Sequence, residues 1–167
     1  MKNVRLPLLG LAIILLVASC KKQDVKSTNS SNTSQSSSTT KASQWNSLTN
    51  WSSSTADSVT TFYTKMSDSL VTSDVVSTGL VLVYKKSGNN TELLPFQDKN
   101  SKAYWYYQVS KGSIRISSNN ASSQIVNGQS FSYFIITPQQ ISALQSNGKT
   151  KLNLMQLSYD QAVALLK

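Results

Sequence analysis

Apolar positions along the chain fall into three regimes. Leu8 to Ala18 is an almost unbroken apolar run. Ser27 to Gln44 (STNSSNTSQSSSTTKASQ) carries almost no apolar side chain. From Trp45 to Lys167 apolar and polar residues alternate in short runs, broken by turn residues about every ten positions, which is the rhythm of strands.

Within that last regime the runs predict individual elements. Val59 to Met66 (VTTFYTKM) is rich in β-branched and aromatic types. Val59, Phe62, Tyr63 and Met66 also fall at helical spacing, but Thr60, Thr61 and Thr64 are poor helix formers and favour a strand. Gly79 to Lys86 (GLVLVYKK) reads as a strand that turns at Gly88-Asn89 into Glu92 to Gln97. A two-residue type II′ turn there sets Lys85 opposite Glu92, Tyr84 opposite Leu93 and Val83 opposite Leu94. Glu92 then has Lys85 as its expected ion-pair mate. Pro95 donates no ladder hydrogen bond, so the second strand is an edge or bulged one.

Ala103 to Val109 (AYWYYQV) and Ser113 to Ser118 (SIRISS) flank a Lys111-Gly112 turn, which pairs Val109 with Ile114, Gln108 with Arg115 and Tyr107 with Ile116. Alternation turns Ala103, Trp105, Tyr107, Val109, Ile114 and Ile116 to the core and Tyr104, Tyr106, Gln108, Arg115 and Ser117 away from it. Phe131 to Ile136 (FSYFII) is a further strand after the Asn127-Gly128 turn signal. Two helices follow. Thr137-Pro138-Gln139-Gln140 supplies an N-cap, a Pro at the first position and a capping-box Gln, with Gly148 past the end; Ser158-Tyr159-Asp160-Gln161 repeats the device before Ala162 to Leu166. No repeat of solenoid or propeller period is present. The pattern predicts a mainly β fold, a small antiparallel β-sandwich with two short helices near the C-terminus.

Composition narrows the chemistry. The chain of 167 residues has no His and a single Cys, Cys20. That removes His-based general bases, the usual Ser-His-Asp and Cys-His nucleophiles, His or multi-Cys metal sites and an internal disulfide. From Trp45 onward the acids are Asp57, Asp68, Asp74, Glu92, Asp98 and Asp160, with no spacing that argues for a glycosidase pair. No phosphate loop, nucleophile elbow or calcium loop is present. The expectation is a non-enzymatic domain without cofactor or metal. Lys+Arg 16 against Asp+Glu 7 gives a formal charge of +9. The basic residues are spread over tail and turns, and beyond residue 5 Arg115 is the one guanidinium, so nucleic acid is not an expected partner.

Residues 1–20 (MKNVRLPLLGLAIILLVASC) place this domain. Lys2 and Arg5 form a basic start, and the apolar run is shorter than the about 20 residues needed to span a ~30 Å bilayer core. It ends in Val17-Ala18-Ser19-Cys20, which resembles a bacterial lipobox: small residues admit the chain to the signal peptidase and the thiol accepts the lipid. The alternative is an ordinary secretory signal with an incidental Cys. The expected division is a signal peptide at 1–19, a lipidated Cys20 heading a disordered linker over 20–44, and a globular domain over 45–167. One acyl chain anchors only marginally and several hold stably, at about 0.8 kcal/mol per buried CH₂. The linker is too polar to offset the ~1–2 kcal/mol per residue of ordering entropy. It reads as a tether, or as a glycosylated stalk.

Lys21-Lys22-Gln23-Asp24 resembles the surface-export signal of Bacteroidota lipoproteins, with one acidic residue where that signal has two. Further motifs follow in order: Ser77 to Lys85, Leu94-Pro95-Phe96, Ser113 to Ile116, Phe131 to Ile136 and Leu157 to Val163. Together with the lipobox they resemble a family of uncharacterised Bacteroidota lipoproteins with a Gly-x-Val-x-Val-Tyr strand, a Leu-Pro and a terminal Ser/Thr-Tyr-x-x-Val helix. The chain departs from it at Ser132-Tyr133, where the family has an Arg, and at Asp160-Gln161, where it has Glu-Glu. The resemblance implies a lipid-anchored β-rich domain of the outer membrane and assigns no catalytic residue.

The outward face of the Tyr104-Trp105-Tyr106-Tyr107 strand carries the candidate ligand-binding residues, Tyr104, Tyr106, Gln108 and Arg115. An exposed aromatic-polar patch suits sugar-ring stacking or a protein contact. The competing expectation is that another element covers this face. The partners expected are therefore the membrane, through the N-terminal lipid, and an envelope protein or a glycan.

Overall fold

The computed structural model describes residues 41–119 and 121–166. Residues 1–19, read above as a signal peptide, Cys20 and most of the stretch read as a linker lie outside the described residues. The elements run β1 (Lys41–Ala42), β2 (Asn46–Ser47), β3 (Ser52–Ala56), β4 (Val59–Ser67), α1 (Ser73–Ser77), β5 (Leu80–Ser87), β6 (Asn90–Leu93), β7 (Phe96–Gln97), β8 (Tyr104–Ser110), β9 (Ser113–Asn119), α2 (Ser123–Val126), β10 (Ser130–Ile136), α3 (Pro138–Ser146), α4 (Lys151–Leu154) and α5 (Tyr159–Leu166).

Two antiparallel sheets form a small β-sandwich. The first orders β1-β10-β5-β6, with β2 also on β10; the second orders β3-β4-β9-β8-β7. The chain crosses between them at Leu94-Pro95: β6 ends as the edge of the first sheet and β7 begins as the edge of the second. Pro95 thus stands where a ladder donor is not needed.

Alternation sorts the first sheet's side chains into two cores. Val81 and Val83 of β5 and Phe131, Tyr133 and Ile135 of β10 face the second sheet, where they meet Trp105, Ile114 and Ile116. Trp51 closes this core edge-on to Trp105, with ring centroids 6.0 Å apart. Leu80, Leu82, Tyr84, Phe134 and Ile136 face the other way and are covered by Ile141, Leu154, Ala162 and Leu166 of α3, α4 and α5. The helices therefore make a third layer over the first sheet. Their capping boxes form as the sequence predicts at Thr137 and at Ser158, where the Ser158 N–H donates to Gln161 Oε1 at 2.9 Å.

Both predicted hairpin registers are present. Lys85 pairs with Glu92 and Tyr84 with Leu93. Val109 pairs with Ile114, Gln108 with Arg115 and Tyr107 with Ile116. Gly88 takes φ +58, the sign that a type II′ turn requires of its first central residue. Val59 to Met66 is a strand, and its helical spacing is incidental: Phe62 and Met66 face the core from strand positions.

The structure differs from the expectation in five respects. The single strand read over Glu92 to Gln97 is two, β6 and β7, because the chain leaves the first sheet at Leu94-Pro95 and joins the second. Pairing starts upstream of Trp45, because β1 pairs with β10 and the Ser43 hydroxyl accepts the Tyr133 N–H at 2.8 Å. Three helices, not two, follow β10, since Thr150-Lys-Leu-Asn153 makes its own capping box and forms α4. Two further short helices, α1 and α2, sit in loops. Finally, Lys85 and Glu92 are register partners without an ion pair among the described residues. Lys85 shares a face with Val81 and Val83, so its side chain runs between the sheets, and its ammonium lies over the Trp105 ring at 4.9 Å.

Candidate functional site

The helical layer covers the first sheet, and no described helix contributes to a core on the outer face of the second. Register decides what that face carries. β8 turns Tyr104, Tyr106 and Gln108 outward, opposite Asn119, Ser117 and Arg115 of β9. From β4, Tyr63 stands opposite Ser117 on the other side.

All four candidate residues come together on this surface. Tyr104 is 39% exposed, Gln108 and Arg115 are exposed, and Tyr106 is half-buried. The Tyr104 and Tyr106 rings stack with centroids 5.7 Å apart and planes 24° from parallel. The Arg115 guanidinium lies 4.0 Å from the centroid of the Tyr63 ring. A guanidinium over an aromatic face at an exposed site gains about 0.5–1 kcal/mol, which restrains a long side chain that would otherwise sample many rotamers. A recess of about 330 Å³ lies alongside, between Tyr106, Gln108 and Arg115 on one flank and Ser54, Val59 and Thr61 of the β3–β4 hairpin on the other.

Ser117 is outward-facing as expected, but only 1% exposed. It sits between Tyr63 and Tyr106 in neighbouring strands, and the two large side chains cover the small one. Tyr63, Thr61 and the β3–β4 hairpin belong to the site and carry no signal of their own in the sequence. The period-2 pattern of β4 would have pointed Thr61 and Tyr63 to one face, but which strand neighbours β9 is a matter of topology.

The inward face behaves differently. Trp105, Ile114 and Ile116 are fully buried. Tyr107 donates its hydroxyl to the Val81 carbonyl at 2.6 Å, and burial raises its pKa above the ordinary tyrosine range. Trp105 and its register partner Ser118 are exceptions to polar satisfaction, since the indole N–H and the serine hydroxyl have no hydrogen-bond partner among the described residues.

Chemically the outer face offers stacked phenol rings, an amide and a guanidinium beside a hydroxyl-lined recess. This is recognition chemistry: flat apolar faces to stack on, and donors and acceptors to orient what stacks. Among the described residues no three or more Cys, Asp or Glu converge to hold a metal ion. The architecture is thus a β-sandwich with one face packed by helices and the other open and aromatic. A scan against protein-family models and searches of curated proteins and of solved structures find no match to this chain.

Proposed function

We propose that the chain is a lipid-anchored outer-membrane lipoprotein whose sandwich serves as a non-enzymatic interaction module, and that the outer face of the second sheet is its binding surface. The observation that carries this reading is the open aromatic face, where Tyr104 stacks on Tyr106 and Arg115 lies on Tyr63. Tyr and Arg are residues that dominate binding energy when a partner desolvates them. The anchor rests on Val17-Ala18-Ser19-Cys20, and the resemblance to Bacteroidota lipoproteins points to the same compartment. A photo-crosslinker in place of Gln108 in intact cells tests the surface. It should trap an envelope component that the same crosslinker at Ser146, on the helical layer, does not. Identical products from both positions would refute the assignment.

A glycan-binding module is the second reading. The recess beside stacked rings favours it, because hydroxyl-, amide- and guanidinium-lined hollows next to aromatic faces suit sugar rings. Retention on a glycan array by wild type, lost in Arg115→Ala, supports the glycan reading; retention unaffected by Arg115→Ala argues against it. Anchoring has its own test. An alkyne fatty acid fed to cells should label wild type and not Cys20→Ser, and equal labelling would end the lipoprotein reading.

A further inference from the structure

A second recess, of about 440 Å³, opens at the edge where the chain crosses from β6 to β7. Its lining includes Lys85, Asn90, Glu92, Phe96, Asp98 and Asn100. It is separate from the tyrosine face: Lys85 rises from between the two sheets, whereas Tyr104 and Tyr106 stand on the far side of the second.

Lys85 is the unusual member. It is 3% exposed, and its ammonium rests over the Trp105 ring at 4.9 Å and the Phe96 ring at 5.6 Å. Among the described residues no carboxylate pairs with it and no acceptor takes its N–H groups. Asp98 and Glu92 act on it only through space, and burial outweighs them, lowering its pKa below the ordinary lysine range. A buried cation without a partner is costly, and ring faces return only part of that cost. The Asp98 Oδ1 is committed elsewhere, accepting the backbone N–H groups of Asn100 at 2.8 Å and Ser101 at 2.9 Å.

We infer that this recess is a binding site for a small polyhydroxylated carboxylate, a uronic-acid type of sugar, whose carboxylate seats on Lys85. The ligand's carboxylate supplies the anion that the lysine lacks. Its hydroxyls meet Asn90 and Asn100, whose amides both donate and accept, and its apolar ring face meets Phe96. On the rim the two carboxylates of Glu92 and Asp98 outnumber the one cation, Lys99, which disfavours a dianion such as phosphate more than a single carboxylate.

Calorimetric titration of the full chain in detergent with D-glucuronate tests this, with D-glucose, inorganic phosphate and L-alanine as comparison probes. Wild type should bind glucuronate at least about tenfold tighter than any comparison probe, the scale of one charged hydrogen bond. Lys85→Met should lose at least that factor while melting no earlier than wild type. Glu92→Gln, at an exposed position with no folding role, should bind glucuronate more tightly. The Tyr104→Ala/Tyr106→Ala double variant should bind it unchanged, which keeps this site distinct from the tyrosine face. No glucuronate binding by wild type would overturn the inference. So would equal binding by Lys85→Met, no gain in Glu92→Gln, tighter binding of any comparison probe, or loss in the tyrosine double variant.

Discussion

Lys85 and Trp105 show how one register produces two opposite residues. Both point between the sheets, one charged and one the largest apolar side chain available, and the ring accepts the ammonium. Replacing them has different consequences for stability. Trp105→Ala should cost about 3–5 kcal/mol, as for a buried aromatic truncated to a cavity, measurable by urea unfolding. Lys85→Met keeps the stem and removes the charge, so it should leave stability equal or higher. The pH dependence follows from the lowered lysine pKa. The folded state holds that proton more weakly than the unfolded chain. The cost of burying the charge is therefore fully present only below the lowered pKa, and it is relieved as pH rises through that pKa to the ordinary lysine range. Tyr84, Tyr107 and Tyr133 act in the opposite sense. Burial raises all three, assisted at Tyr133 by its hydrogen bond to Asp68, so stability falls once pH passes the ordinary tyrosine range. Because the two effects overlap, the difference between wild type and Lys85→Met is the clean measurement. That gap should narrow toward alkaline pH, and a gap constant with pH would contradict the account of Lys85.

At the scale of elements, the close contact between α1, β5 and β10 makes Gly79 a spacing residue. A Cβ there would stand 2.7 Å from Val75 Cα and 2.9 Å from the Ile136 carbonyl oxygen. Gly79→Ala should thus cost about 1–3 kcal/mol by overpacking, read from thermal melts. Thr137→Ala should cost about 1 kcal/mol, because Thr137 and Gln140 close a capping box at the start of α3. Elements with such local signals were legible in the sequence. The Gly88-Asn89 and Lys111-Gly112 turns fixed two hairpin registers, and Thr137-Pro138 announced α3. The β3–β4 hairpin was not legible. Its strand SSSTA has one apolar residue and is exposed throughout, and its turn places Asp57 and Ser58 at φ +48 and +64 without a glycine to signal it. Helices α1, α2 and α4, of at most five residues each, are too short for a 3.6-residue period to show. Residues Lys41 to Gln44 read as polar linker, and only a partner distant in sequence on β10 converts Lys41–Ala42 to strand. The candidate site was half legible for the same reason. Alternation along one hairpin aligned Tyr104, Tyr106, Gln108 and Arg115, while Tyr63 and the recess wall came from strands whose neighbours no local pattern specifies.

At the scale of the molecule, helices close one face of the sandwich and leave the other open, and the open face is the aromatic one. That asymmetry is the basis for reading the domain as a binding module on a lipid tether. The decisive measurement pairs a thermal melt with a glycan and envelope-protein binding screen on wild type, Tyr104→Ala/Tyr106→Ala and Trp105→Ala. The account predicts that the tyrosine double variant melts close to wild type, within the small range of surface substitutions, and loses the binding that wild type shows. Trp105→Ala should melt far earlier. A tyrosine variant that melts as early as Trp105→Ala, or one that binds as wild type does, would contradict the assignment of this face as the binding surface.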